Sequence, residues 1–214
     1  GDNLEEFMVN SINEAQQEIL VAVQELSLPG IAEALVAAKQ RGVSIKMVME
    51  NTYSQPWGDL HEADLSLDRR RQLTQLKKLA DRNGDNTLSV EELRRGDAVA
   101  TLMRHQIPLI DDTEDGSKGS GLMHHKFLVI DGHIVITGSA NFSSSGIHGD
   151  AGARKTRGNV NHLLRFDSTE LAELFKKEFL LMLGDGPGGA KDSRFGLAKN
   201  SSGIQVVRVG NTRI

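Results

Sequence analysis

The stretch MHHKFLVIDGHIVITGSAN, residues 123–141, determines the fold that we predict around a group of polar side chains. Two apolar segments lie on either side of Asp131 and Gly132. Apolar segments joined by Asp-Gly are typical of a β-hairpin with a two-residue loop. We therefore predict a hairpin in which Ile130 faces His133 across the turn.

The predicted pairing gathers the polar side chains of the hairpin on one face. Side chains two positions apart share a face of a strand, so the register places Lys126 opposite Thr137 and His124 opposite Ser139. The polar face is expected to carry His124, Lys126, Thr137, Ser139 and Asn141. The other face is expected to carry His125, Phe127, Val129, Ile134 and Ile136. The first histidine, and not its neighbour, therefore belongs to the polar group.

An imidazole, an ammonium group, a hydroxyl and an amide on one surface suit the binding of a phosphate. The ammonium group and the amide can hold the non-bridging oxygens while the imidazole attacks phosphorus. This chemistry needs no metal ion. A half-exposed hairpin with an incidental His-Lys pair has the same spacing, so the hairpin alone leaves both interpretations open.

The segments around the hairpin indicate an α/β fold. Residues 18–49 contain an apolar strand pattern, a helical pattern that begins at Pro29 and ends at Gly42, and a second strand pattern. Two strands joined by a helix pair in parallel. A further strand-helix pair is predicted over 159–183. Together with the antiparallel hairpin, these elements predict a mixed β-sheet flanked by helices on both faces.

The spacing of the polar residues resembles the signature of the phospholipase D superfamily, the HKD phosphodiesterases: His124-x-Lys126-x4-Asp131, then Gly138-Ser139-x-Asn141. The resemblance covers most of the chain. It implies a phospholipase D-like domain over 1–183, interrupted by a helical insertion at 58–106. A linker-like tail follows at 184–214.

The resemblance implies a covalent phosphohistidine mechanism and a role for each motif residue. His124 attacks phosphorus, and a second histidine from another copy of the motif protonates the leaving alcohol and then activates water. Lys126 and Asn141 bind the phosphate, and Ser139 supports the site. Asp131 belongs to the motif, but Asp-Gly is also favoured in tight turns, so we favour a structural role for it over a directly chemical one.

The family needs two copies of the motif for each active site, and this sequence contains one. A symmetric homodimer resembling the small bacterial endonucleases of the superfamily would supply the second copy. A second repeat in a longer parent protein would also supply it. The strand pattern at 204–214 resembles the lead-in to such a repeat, so we slightly favour the longer parent and expect the isolated half to dimerise.

One position departs from the pattern of the small family members, which carry a Glu-Asn pair where the acid orients the nucleophilic histidine. Here Val160 stands in place of the acid, and Asn161 matches the asparagine. The group that orients His124 is therefore unidentified. Carboxylates that could substitute are Asp111, Asp112 and Asp150.

Residues 81–92 match the calcium-binding loop of an EF-hand, with helical patterns on both sides. The predicted oxygen ligands are Asp81, Asn83, Asp85, the Thr87 carbonyl, Ser89 and Glu92. Asn86 occupies the sixth position, where glycine is usual, and asparagine tolerates the left-handed backbone required there. We predict a calcium ion that braces the insertion or regulates the protein. A solvated acidic turn is the alternative.

Composition restricts the class of protein only weakly. The 214 residues carry a net charge of −4 and include no cysteine, which excludes disulfides, thiolate metal sites and cysteine nucleophiles. A nucleic acid would have to bind a local basic patch against this mildly acidic background. No apolar run is long enough to span a bilayer, and the cellular compartment is left open.

The resemblance makes hydrolysis of DNA or RNA the leading expectation, because the unit is compact and carries one motif. Cleavage of phospholipid head groups is the main enzymatic alternative. A calcium-stabilised binding or dimerisation module without catalytic activity is the alternative of a different class, and Val160 in place of the acid is its best support.

Overall fold

The computed structural model describes residues 3–117, 121–149, 160–195, 203–210 and 212–213. The helices in this part of the chain are α1 Leu4–Glu14, α2 Pro29–Gln40, α3 Leu67–Ala80, α4 Val90–Gly96, α5 Ala98–Arg104, α6 Ser144–Ile147 and α7 Thr169–Leu183. The strands are β1 Glu18–Val23, β2 Ser44–Met49, β3 Leu109–Asp111, β4 Lys126–Ile130, β5 Ile134–Gly138, β6 Leu163–Asp167, β7 Arg208–Val209 and β8 Thr212–Arg213.

Six strands form one mixed sheet in the order β3-β2-β1-β4-β5-β6. Strands β1, β2 and β3 are parallel, and β4, β5 and β6 continue the sheet in antiparallel pairs. The crossover from β1 to β2 is α2, which begins at Pro29, where the missing N–H of proline is not needed. The predicted βαβ unit and the mixed α/β sheet are confirmed.

Helices cover both faces of this sheet. On one face α1, α2 and α5 bury the side chains of alternate strand residues, including Ile19, Val21 and Leu128. On the other face α7 packs against the intervening residues, including Leu20 and Phe127. Ser168 caps α7 by accepting the backbone N–H of Leu171. The two-faced arrangement agrees with the fold predicted from the sequence.

The register of the β4-β5 hairpin differs from the prediction. Ile130 pairs with Ile134, so the loop contains Asp131, Gly132 and His133 rather than two residues. Asp131 and Gly132 both have positive φ angles, of 49° and 66°. The predicted two-residue turn is therefore wrong. A contact outside the hairpin explains the difference, because the Asp131 carboxylate binds the backbone just before β1.

The one-residue shift changes which side chains of the two strands share a face. Thr137 lies opposite Phe127, not opposite Lys126. Ile134 and Ile136 therefore pack towards α1 and α2 with Leu128 and Ile130, and Val135 packs towards α7 with Phe127 and Val129. The predicted face containing Lys126, Thr137 and Ser139 together does not form.

The insertion between β2 and β3 consists mainly of α3, α4 and α5. Trp57, Leu73 and Ala80 form a small core of their own, separate from the two cores of the sheet. The helical pattern that follows the loop at 81–92 continues to residue 105, but in the structure the chain forms two helices, α4 and α5, on either side of Asp97. Its carboxylate caps α5 at the N–H of Ala100, which requires extended backbone at the cap.

The tail after α7 returns to the sheet. Val207 is buried in the cluster beneath α7, and β7 pairs with β8 in an antiparallel ladder within the predicted strand pattern at 204–214. Helix α7 has 15 residues. Within the described ranges, no helix combines the length and apolar character needed to cross a membrane.

Candidate active site

Three residues of the motif, His124, Lys126 and Asn141, meet at the end of the sheet where β1 stops and β4 begins. Because these strands are antiparallel, Val23 at the end of β1 pairs with Lys126 at the start of β4. Gln24 continues from β1, and its backbone N–H donates to the His125 carbonyl at 2.9 Å. The carboxyl ends of the parallel strands lie at this edge, where ligands bind in open α/β sheets.

Gln24 connects two of the predicted phosphate-binding residues. Its Oε1 accepts one hydrogen bond from Lys126 Nζ at 3.3 Å and another from Asn141 Nδ2 at 3.1 Å. Lys126 also donates to the His124 carbonyl at 3.0 Å. The lysine is only 7% exposed, and burial lowers its pKa, while the nearby Glu25 carboxyl acts in the opposite direction. The structure therefore brings the backbone of His124 and the side chains of Lys126 and Asn141 to one place.

The His124 side chain is exposed, and it is close enough to Lys126 for an electrostatic interaction with the lysine charge. Partial burial lowers the pKa of His124, and the positive charges of Lys126 and His125 lower it further. A lowered pKa favours the neutral imidazole at neutral pH, which is the form that can act as a nucleophile. No side chain in the described part of the chain hydrogen bonds to this imidazole.

Two of the carboxylates proposed to orient His124 have other partners. Asp112 accepts the backbone N–H of Asn51 at 3.0 Å and also that of Met123, so it fixes the backbone before His124 rather than its ring. Asp111 accepts the hydroxyls of Ser54 at 2.9 Å and of Thr113. The third candidate, Asp150, lies outside the described residues.

His125 points to the opposite face of the sheet, as predicted. Its Nε2 lies 3.0 Å from the Glu178 carboxylate on α7. Its ring packs edge-on against Phe127 with the ring centroids 5.4 Å apart. The two adjacent histidines therefore lie in different environments, and only His124 is beside Lys126.

Ser139 lies with the start of β6, not with Lys126. Its hydroxyl donates to Asn161 Oδ1 at 3.0 Å and lies 3.3 Å from His162 Nδ1. Gly138 allows this close approach of β5 and β6, because a Cβ there would collide with the His162 carbonyl. In the shifted register Ser139 lies on the same face of the hairpin as His125. The predicted placement of Ser139 opposite His124 is therefore not observed.

Asp131 lies at the far end of β4 from His124. Its carboxylate accepts backbone N–H groups from Gln16 at 2.8 Å, Gln17 at 2.8 Å and Glu18 at 2.9 Å. Burial would raise the pKa of Asp131, but these donors outweigh it and hold the pKa below its ordinary value. These contacts suit the structural role that the sequence favours for Asp131.

Sequence reasoning missed Gln24 and Glu25. Glu25 is 8% exposed, and burial raises the pKa of its carboxyl, although hydrogen bonds and two cations oppose the shift. It accepts hydrogen bonds from Ser27 at 3.1 Å and from Gln72 of the insertion at 2.6 Å. Polar residues directly after an apolar parallel strand were the signal that could have indicated both.

The predicted calcium loop has the expected backbone turn. Asn86 has a φ angle of 61°, in the left-handed region. The carboxylates bind the backbone of the loop: Asp81 accepts the N–H groups of Gly84 and Asn86, and Glu92 accepts that of Arg82. Among the described residues, no three acidic, histidine or cysteine side chains converge closely enough to hold a metal ion. Calcium binding therefore stays a prediction.

The mixed sheet with this polar cluster defines a phospholipase D-like domain. The fold is similar to the crystal structure of Nuc from Salmonella typhimurium, described as a phospholipase D family member, with a TM-score of 0.51 and 20% identity. The match covers 86% of this chain and 89% of that one. At this identity the similarity concerns the fold.

Residues 8–183 match the model of the family described as "Cardiolipin synthase, PLD-like domain", and the chain belongs to that family. The mitochondrial cardiolipin hydrolase of Xenopus laevis is 24% identical over 165 residues, which are 77% of this chain and 54% of that protein. Phospholipase D of Rickettsia conorii is 23% identical over 175 residues, 81% of this chain and 61% of that protein. The chain thus spans little more than half the length of these curated relatives.

Proposed function

We propose that the protein is a phosphodiesterase that hydrolyses DNA or RNA through a phosphohistidine intermediate. The observation that carries this proposal is the exposed His124 beside Lys126. Lys126 and Asn141 both donate hydrogen bonds to the side-chain oxygen of Gln24. A nucleophile, a buried cation and an amide at one edge of the sheet suit attack on a phosphodiester.

In the proposed reaction, a nitrogen of His124 forms a bond to phosphorus as the bond from phosphorus to the leaving oxygen breaks. The leaving oxygen takes a proton from a second histidine. Water then attacks phosphorus, gives its proton to the second histidine, and releases His124. Lys126 and Asn141 stabilise the negative charge on the non-bridging oxygens in both steps.

The second histidine is proposed to come from another copy of the motif. Either a second copy of this chain or a second repeat of a longer parent would provide it, because residues 1–214 contain one motif. Light scattering on the purified 214-residue chain separates these sources: a dimer with activity supports the first, and an inactive monomer supports the second.

We favour a nucleic acid over a phospholipid as the substrate because the unit is compact and His124 is exposed where β1 ends. A long polymer backbone can pass across such an exposed residue. The names of two relatives, a cardiolipin hydrolase and a phospholipase D, favour phospholipid cleavage as the second candidate. A binding module without turnover is the third candidate, and Val160 in place of an orienting acid is its support.

The test compares substrates under one set of conditions. Purified protein with EDTA is incubated with plasmid DNA, with single-stranded RNA, and with vesicles containing cardiolipin or phosphatidylcholine. Cleavage of either nucleic acid supports the proposal. Head-group release without nucleic-acid cleavage favours the phospholipase, and binding without turnover favours the module.

We also propose that the loop over 81–92 binds calcium. The left-handed Asn86 and the helices α3 and α4 on either side support this, as do the lowered pKa values of Asp85 and Glu92, which accept hydrogen bonds from Thr87 and Ser89. The residues that would hold the ion are Asp81, Asn83, Asp85, the Thr87 carbonyl, Ser89 and Glu92. The ion would brace the insertion by joining ligands from both ends of the loop.

Calorimetric titration of the metal-free protein with calcium is expected to give a Kd of about 10⁻⁵–10⁻³ M and a higher melting temperature. Glu92→Gln removes a ligand that binds calcium through both oxygens, so binding should fall at least about tenfold. Asp68→Asn, on the exposed surface of α3, is the matched control and should bind as the unchanged protein does. No heat and no thermal shift with calcium would contradict the proposal.

A further inference from the structure

Gln24 contacts both of the side chains that are proposed to bind the phosphate. We propose that Gln24 is a positioning residue, whose carbonyl oxygen holds the Lys126 ammonium and the Asn141 amide in the arrangement that binds the phosphate. The inference rests on the proposed phosphodiesterase function and extends it to a residue outside the HKD motif.

The geometry of the shared oxygen carries the inference. A side-chain carbonyl oxygen has two lone pairs, and Gln24 Oε1 accepts from Lys126 Nζ at 3.3 Å and from Asn141 Nδ2 at 3.1 Å. Both lone pairs are therefore used. The two nitrogens are held close together by a single acceptor, although Lys126 begins β4 and Asn141 lies three residues after the end of β5.

The number of remaining donors fits a phosphate. An ammonium group has three N–H donors, and Lys126 uses one on Gln24 and one on the His124 carbonyl at 3.0 Å. A primary amide has two donors, and Asn141 uses one on Gln24. Within the described ranges, one N–H on each nitrogen thus has no protein acceptor and can bind a non-bridging oxygen. Asn141 Oδ1 is buried without a partner among the described residues, so the amide is not fixed through its own oxygen.

The charge of the acceptor matters as much as its position. An amide oxygen is neutral, so it can orient Lys126 without cancelling the positive charge that a phosphate needs. The next residue is a buried carboxyl, and the hydrogen bonds of Glu25 go to Ser27 and Gln72, although its charge also acts on Lys126. A carboxylate in place of Gln24 would form a buried ion pair with Lys126 and compete with the phosphate.

The side chain of Gln24 is not needed to hold the strands together, so its replacement should not unfold the protein. Its backbone N–H donates to the His125 carbonyl at 2.9 Å, and the Phe142 N–H donates to the Glu25 carbonyl at 3.0 Å. These bonds, and the bridge between Leu26 and Phe142, fix the backbone on both sides of the site. Variants of Gln24 therefore test positioning separately from folding.

The experiment uses three variants of the 214-residue chain and two measurements. Gln24→Met keeps the size but removes the acceptor, Gln24→Glu adds a charge, and Gln17→Met is the control at an exposed glutamine before β1. Hydrolysis of bis-p-nitrophenyl phosphate gives kcat and KM from pH 5 to pH 8. Inorganic phosphate is the binding probe, and its binding is measured as the increase in melting temperature that it produces.

Gln24→Met is expected to lower kcat/KM about tenfold or more and to weaken phosphate binding, at an unchanged melting temperature without phosphate. Gln24→Glu should be impaired throughout the range from pH 5 to pH 8, because a carboxylate paired with Lys126 stays ionised over that range and competes with the phosphate. The control should keep the kinetics and the phosphate shift of the unchanged protein. Weaker phosphate binding in both variants at an unchanged melting temperature is a result that a purely structural role would not produce.

Kinetics and phosphate shifts equal to those of the unchanged protein in both Gln24 variants would overturn the inference. The inference would also be overturned if the losses of activity and phosphate binding were explained entirely by a lowered melting temperature of the variants. If the unchanged protein does not hydrolyse the diester but is stabilised by phosphate, the proposed reaction fails, and the phosphate shifts of the variants still decide the role of Gln24. If phosphate gives no shift either, both proposals are overturned.

Discussion

His124→Ala is expected to lower phosphodiester cleavage at least about 1000-fold, because it removes the group proposed to form the bond to phosphorus. The imidazole is exposed beside Lys126, so alanine at this position leaves the packing of the sheet intact. Plasmid cleavage followed on gels, with EDTA present, measures the effect. The melting temperature should change little.

The adjacent histidine is the matched control for this experiment. His125→Ala removes a hydrogen bond to Glu178 and an edge contact with Phe127 on the opposite face, which should lower stability by about 1 kcal/mol and leave most of the activity. Activity retained in His124→Ala, or lost equally in both variants, would contradict the proposed nucleophile.

The same assignment predicts the acid side of the pH profile. Neutral imidazole is the reactive form, so the rate should fall as the pH falls through the pKa of His124. Burial and the charges of Lys126 and His125 lower that pKa, so the decline should lie below about pH 6.5, the ordinary histidine value. A decline well above that pH would show that another group controls the rate.

Asp131→Ala is expected to destabilise the protein by about 2–4 kcal/mol, although Asp131 belongs to the family motif. The change leaves three backbone N–H groups, those of Gln16, Gln17 and Glu18, without their acceptor. Alanine also fits poorly at a φ angle of 49°. Urea unfolding at pH 7 measures the loss.

Asp131→Asn separates the charge from the backbone conformation, because asparagine tolerates positive φ. The folded-state pKa of Asp131 is lowered, so its contribution is fully present above the unfolded pKa of about 3.9 and is lost as the pH falls through the folded pKa. The asparagine variant should therefore be less stable than the unchanged protein at pH 7, and the difference should shrink towards pH 2. A variant as stable as the unchanged protein at pH 7 would contradict the structural role.

The sequence was sufficient for the elements whose signals are local. Pro29, Gly42 and Ser168 mark helix boundaries through their own backbone and side-chain chemistry, and the apolar β1 and β2 segments predict parallel buried strands. The separation of His124 from His125 also follows from alternation along one strand, which does not depend on the partner strand.

The features that sequence reasoning missed depend on contacts between distant segments. Asp131 binds residues more than 110 positions earlier, and this contact accompanies the three-residue turn that changes the register. Gln24 lies 102 positions from Lys126 and 117 from Asn141, and no local pattern around it predicts that meeting. A turn preference is weak compared with a carboxylate that accepts three backbone donors.

The contact of Gln72 with Glu25 limits how this protein can be shortened. The insertion supplies the 2.6 Å hydrogen bond to a carboxyl that is 8% exposed, and Arg69 adds a favourable charge. Excising residues 58–96, which keeps the flanking helix α5, would remove both partners and leave the Glu25 carboxyl with the Ser27 hydrogen bond and the charge of Lys126. A minimal version that keeps only the sheet and its flanking helices therefore requires a compensating substitution at Glu25, such as glutamine.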